Sequence, residues 1–176
     1  MKNFFKSFPD SAKELKSLRC VTFAAMFTAM AIALGYVTNI QFGNTVRIGF
    51  SFLAKDFSSY LLGPVVGGII GGLVDVITFV MKPTGPFFPG FTLNAVLTGV
   101  IMGAFLYHRP VKLSRVLAAR AVNAVVVNLI LNTLWLSILW GDSFFMLLPA
   151  RALKQVVMLP IETMMLYSVM KAAEAA

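Results

Sequence analysis

Of the 176 residues in this chain, 59% are hydrophobic and only 12% charged, with a mean hydropathy of +0.84, whereas soluble domains carry about 25% charged residues. That balance excludes an ordinary soluble fold, and at about 20 residues per membrane span it holds roughly six spans with no room for a separate catalytic domain. The formal net charge of +8 would suit nucleic acid, but the cations gather beside apolar runs, so membrane topology accounts for them and no nucleic-acid partner is expected.

The apolar runs are long and continuous rather than short and alternating, which favours helices over a β-barrel. The expected fold is an all-α membrane protein, a six-transmembrane-helix bundle forming one integral membrane domain over residues 1–176. A polar cytoplasmic segment, 1–17, precedes spans at about 18–37, 50–62, 64–81, 91–107, 116–139 and 147–171.

The run from Cys20 to Val37 exceeds a typical signal-peptide core, and Asn39-Ile40-Gln41 is a poor cleavage site, so this run reads as a retained first helix. Cys20 is the only cysteine, which rules out an intramolecular disulfide and a multi-cysteine metal site. Ala25, Ala29 and Ala33 recur every fourth residue and form a smooth stripe, suited either to docking another helix or to packing within the bundle. Arg47 follows in the next loop. The second span is short and carries Lys55-Asp56, so it should tilt, pack inside protein or end near an aqueous mouth.

Gly63-Pro64 predicts a tight turn, since proline starts helices and restricts the residue before it. In the third span, Gly67, Gly71 and Gly68, Gly72 form small faces for internal packing. Asp75, a carboxylate at membrane depth, either receives a ligand's N–H groups or pairs with Lys55, Lys82 or an asparagine. Pro83, Gly85, Pro86, Pro89 and Gly90 then define an ordered loop holding Phe87, Phe88 and Phe91.

Spans four and five contribute Asn94, Asn128, Asn132, Trp135 and Trp140, whose amides and indoles need partners in an apolar medium. They are suited to a planar heteroaromatic ring, or to interhelical bonding and an interfacial belt. His108, beside Arg109, reads as interfacial. On span six, Arg151 and Lys154 lie one turn apart and suit a carboxylate, or snorkel to headgroups. Glu162, after Pro160, reads as a carboxylate capping freed backbone groups rather than a proton relay.

With the N-terminus cytoplasmic, Lys2, Lys6, Lys13, Lys16, Arg19, Arg109, Lys112, Arg115 and Lys171 fall inside and only Arg47 and Lys82 outside, so both termini are expected in the cytoplasm. There is no phosphate-binding glycine loop, paired-histidine zinc motif or nucleophile triad. Catalytic residues, a metal site and a cofactor are therefore not expected.

Taken in order, the basic N-terminus, the alanine stripe, Arg47-Ile48-Gly49-Phe50, Leu62-Gly63-Pro64, Asp75, Phe87-Phe88-Pro89-Gly90-Phe91-Thr92-Leu93 and Asn132-Thr133-Leu134-Trp135 resemble the substrate-binding S components of energy-coupling factor transporters, most of all the folate-specific branch. Lys55 departs from the more apolar or proline-containing second helix of that branch. The resemblance implies a multi-pass protein of the prokaryotic plasma membrane that binds a vitamin from outside and topples in the membrane to deliver it. It also implies a transmembrane coupling protein (T component) docked on Ala25, Ala29 and Ala33, and two cytoplasmic ATPases that supply the energy.

Folate joins a hydrogen-bonding pterin to an aromatic linker and a glutamate. Under the resemblance, Asp75, Asn94, Asn132 and Trp135 would hold the pterin, Phe87, Phe88 and Phe91 would pack on rings beside Gly90, and Arg47, Arg151 and Lys154 would meet the glutamate. The rival readings are an S component for thiamin or another pterin, and a stand-alone secondary transporter using Asp75 or Glu162. A membrane enzyme would need an acid–base pair that the chain does not offer.

Overall fold

The computed structural model describes residues 11, 17–37, 40–42, 46–48, 50–82, 88–140 and 144–175, apart from the side chains at 37, 40–42, 46–48, 140, 144–148, 150, 151 and 175. Helix α1 (Leu18–Val37) leads into a short antiparallel ribbon of β1 (Ile40–Phe42) and β2 (Val46–Ile48), in which Gln41 pairs with Arg47. Helix α2 (Ser51–Met81) and helix α3 (Pro89–Leu106) follow. A column of α4 (Leu113–Asn123), a π-helical stretch (Ala124–Leu131) and α5 (Asn132–Trp140) precedes the last helix, α6 (Phe144–Ala175). The ribbon is the one departure from an all-α fold among the described residues, and the alternations that mark it, Ile40-Gln41-Phe42 and Val46-Arg47-Ile48, are only three residues long.

Among the described residues, five helical spans are long and apolar enough to cross a membrane, rather than the six expected. The difference lies in α2, which takes in both the second and third expected spans. Gly63, at φ +86° and ψ −179°, breaks it in a conformation open to glycine. The side chain of Ser59 then lies where a Cβ on Gly67 would be, a contact that a straight helix cannot make across eight residues. The chain therefore doubles back into two arms, 51–62 and 64–81. The first arm, twelve residues and about 18 Å long, falls well short of the roughly 30 Å hydrocarbon thickness.

Ser11 closes the tip of this hairpin. Its buried hydroxyl donates to the Leu62 carbonyl at 2.8 Å and accepts from the Val66 N–H at 3.4 Å. Backbone groups left unpaired by the break would be costly in an apolar medium, and these bonds satisfy two of them.

Two packed regions organise the bundle. Cys20, Phe27 and Ala31 of α1 meet Ala54, Leu62, Val66, Ile70 and Val74 of both α2 arms. Met102 and Leu106 of α3 meet Val116 and Ala119 of α4 and Leu166 and Met170 of α6, and Phe57 packs against both regions.

The second arm and α3 touch backbone to backbone: a Cβ at Gly71 would strike the Ala95 carbonyl, one at Gly99 the Gly67 carbonyl, and one at Gly103 the Pro64 backbone. Small residues allow this approach, and dispersion across the contact replaces a hydrophobic driving force that lipid does not supply. Gly68 and Gly72 instead line an open apolar groove of about 490 Å³ with Val96 and Val100.

Candidate functional site

Polar and aromatic side chains converge at the end of the bundle opposite the Gly63 turn. Pro89 fixes the first turn of α3 and leaves Phe88 extended just before it, so that Phe88 and Phe91 meet edge to face with centroids 5.9 Å apart. Trp135 of α5 lies 5.4 Å from Phe88. Gly90 sits beneath both rings; a Cβ there would be 2.5 Å from Phe88 Cε1 and 2.7 Å from Trp135 Cδ2. Any larger residue would push the rings apart.

The indole Nε1–H of Trp135 donates to Asn94 Oδ1 at 3.2 Å, and Asn94 is buried. On the neighbouring face of α3, the Thr92 hydroxyl donates to Asp75 Oδ2 at 2.8 Å. The carboxylate thus has a hydroxyl partner at Oδ2, and of the Lys55, Lys82 or asparagine partners considered from sequence, Lys55 lies within electrostatic reach. Asn132 lies one turn before Trp135, half-buried.

The remaining expected residues fall elsewhere. Phe87 and the side chains of Arg47 and Arg151 lie outside the described residues. Lys154 is half-buried on α6, within electrostatic reach of Glu162 two turns further on. Asn128 donates to Gln155 Oε1 at 3.3 Å and joins the π stretch to α6. His108, exposed and at φ +52°, stacks on Tyr107 at 4.0 Å. Ala25, Ala29 and Ala33 are all exposed on α1, on the side away from Phe27 and Ala31, so the stripe takes no part in packing within the described chain.

The bundle interior holds a charge cluster that the sequence reading missed. Arg120 of α4, buried, makes an ion pair with buried Asp56 at 2.6 Å and donates through Nη1 to Glu162 Oε2 at 3.0 Å. Its guanidinium also lies 4.4 Å from the Phe52 ring centroid, a favourable approach for a desolvated cation. Glu162 therefore serves an ion pair, and the expectation that it caps backbone groups beside Pro160 is corrected. Two carboxylates and an arginine at membrane depth are a signal that such charges face one another.

Comparison with known proteins follows the same outline. The family model for the ECF transporter substrate-specific component matches residues 19–173. The folate transporter FolT of Clostridium novyi (strain NT) is 36% identical over 157 residues, covering 89% of this chain and 91% of that protein. A folate transporter FolT of Leuconostoc mesenteroides is 27% identical over 144 residues, covering 78% and 77%. Among solved structures, the crystal structure of FolT bound with folic acid superposes with a TM-score of 0.79 at 28% identity, over 87% of this chain and 93% of that one.

Proposed function

The chain belongs to the substrate-specific components of ECF transporters, and from that premise we propose that it is the folate-binding S component of an ECF-type ABC importer. It captures the vitamin at the extracellular face of a prokaryotic plasma membrane. It then delivers it with a coupling protein and two cytoplasmic ATPases, and carries no catalytic residue of its own. Both termini are cytoplasmic, and counting the two arms of α2 separately makes the fold a six-helix bundle.

The observation that carries this reading is the cluster in which Phe88, Phe91 and Trp135 close over Gly90, with Asn94 and Asp75 at its edge. A pterin needs flat apolar walls and a few directed polar groups, the usual make-up of a small-molecule site. Asp75 can accept from the 2-amino and N3–H groups through its remaining oxygen. Asn94, Asn132 and Trp135 read the other ring atoms and edge, and Phe87, Phe88 and Phe91 cover the ring faces. Arg47, Arg151 and Lys154 meet the glutamate carboxylates as charge-assisted donors. The exposed Ala25, Ala29 and Ala33 form the docking face for the coupling protein, where small side chains permit close approach.

Isothermal titration of the purified protein in detergent tests the site. Wild type should bind folate, Asp75→Asn should weaken binding by about 10- to 100-fold through loss of a charged acceptor, and Arg151→Ala should also weaken it. Unchanged affinity in both variants would refute this site, and mass spectrometry of any co-purified ligand reports specificity independently.

A further inference from the structure

The indole N–H of Trp135 donates to Asn94 Oδ1 at 3.2 Å, joining α5 to α3, and this bond fixes the sense of the amide. An indole nitrogen can only donate, whereas an amide carries an acceptor on one side and two donors on the other. The atom of Asn94 that meets Trp135 is therefore the oxygen, and the NH2 group is turned to the opposite side. Reversing the amide would set two donors face to face and strand the oxygen in a residue that is 7% exposed. We infer that Trp135 is a positioning residue for ligand recognition, acting on the ligand's polar atoms through Asn94, which it holds as a donor, and not through its own N–H. The inference rests on the folate-binding reading above and deepens it.

The surrounding packing holds both groups in place. Asn94 stands one turn after Gly90 on the same face of α3, and helical side chains lean toward the N-terminus, so its amide lies beneath the position that Gly90 leaves bare. Phe88 and Trp135 fill that position: a Cβ on Gly90 would be 2.5 Å from the Phe88 ring and 2.7 Å from the indole. The two rings themselves are 5.4 Å apart. Turning the indole N–H toward a ligand would give up the bond to Asn94 and disturb the contact with Phe88 together.

The site then shows its ligand polar groups of fixed and opposite sense. Ionised Asp75 only accepts and meets ligand N–H groups. Asn94, with its oxygen taken by Trp135, only donates, and it calls for a lone-pair atom such as the carbonyl oxygen or an unprotonated ring nitrogen of a pterin. Trp135 contributes its ring face as a wall. A site built to hydrogen-bond one group rejects the analogue that lacks it, so the orientation of this amide is a determinant of specificity.

Titration of folate into wild type, Trp135→Phe, Asn94→Ala and the double variant tests this route of action. Trp135→Phe keeps a ring and removes the N–H, so folate affinity should fall by about 3- to 10-fold, and Asn94→Ala should lose about 10- to 100-fold. The double variant should bind no more weakly than Asn94→Ala alone, because the indole has nothing left to orient. An equal cost of Trp135→Phe in both backgrounds would overturn the inference, since it would assign the indole to direct ligand contact or to packing. Asn94→Asp keeps an oxygen for the indole and exchanges the NH2 for a second acceptor, so it should lose at least about 10-fold; wild-type affinity there would also overturn it. If these substitutions prevent folding, NMR of the chain with its native Trp135 and Asn94 decides. The chain has two tryptophans, and Trp140→Phe leaves Trp135 as the single indole signal. Its proton should exchange slowly with water both without and with folate. Free exchange that slows only when folate is added would make the ligand its partner and overturn the inference. A wild type that binds no folate would instead overturn the reading of function on which it rests.

Discussion

Replacing Arg120 by leucine removes the cation that, among the described residues, two membrane-depth carboxylates share. Arg120 is 6% exposed, Asp56 1% and Glu162 19%, so neither acid can turn to water without unpacking α2 or α6. Breaking a buried pair from one side typically costs about 3–5 kcal/mol, because the remaining charge is left uncompensated. At about 2–4 °C per kcal/mol for a chain of this length, the melting temperature should fall by about 6–20 °C. Cys20, the only cysteine and 5% exposed, provides the assay, since a thiol-reactive dye reports its exposure as the detergent-solubilised protein is heated. Replacing the whole cluster, Asp56→Leu with Arg120→Met and Glu162→Leu, should recover most of the loss, because well-packed apolar residues of similar size can substitute for a buried ion cluster. A drop below about 2 °C for Arg120→Leu, or a triple variant no better than the single one, would show that the cluster is not what fastens the short arm of α2 into the bundle.

Gly63→Ala should destabilise the protein by about 1–3 kcal/mol, since the left-handed φ of +86° disfavours a side chain and the new Cβ would lie 2.7 Å from Ser11; chemical or thermal unfolding measures this. Gly99→Leu should separate α3 from the second arm of α2, where the glycine backbones touch, and size-exclusion chromatography should show loss of the monodisperse protein. Ala29→Trp, on the exposed stripe of α1, should keep folate affinity within about 2-fold while co-purification of the coupling protein is lost. Loss of folding in that variant would instead assign the stripe to packing.

Much of the scaffold was legible because membranes impose length and because glycine and proline act locally. Gly63-Pro64 marked the turn, whereas Pro89 and Gly90, read from sequence as the end of a loop, open α3, and Gly90 lies beneath Phe88 and Trp135. Asn94 and Trp135 each stood out as polar groups in apolar runs. Their mutual hydrogen bond did not, since 41 residues separate them and only the bundle geometry brings α3 to α5. Arg120 escaped notice because it lies little more than a turn inside the expected start of span five, where a cation ordinarily snorkels. The count of charges offered a clue: Asp56 and Glu162, placed at depth on other helices, both needed a cation. The π-helical stretch from Ala124 to Leu131 had no sequence mark, since Val, Leu and Ile fill α and π turns equally well.

Ser11 has a practical consequence. Hydropathy alone would invite removal of everything before Leu18, as a polar leader dispensable to the bundle. Yet the hydroxyl of Ser11 is fully buried and ties together the carbonyl and amide on either side of the α2 bend. A deletion that stops short of residue 11 leaves this knot in place, whereas one that reaches the first apolar run unties it. The boundary for shortening this protein, or for fusing a tag to its front, therefore lies in the polar segment, several residues ahead of the first transmembrane helix.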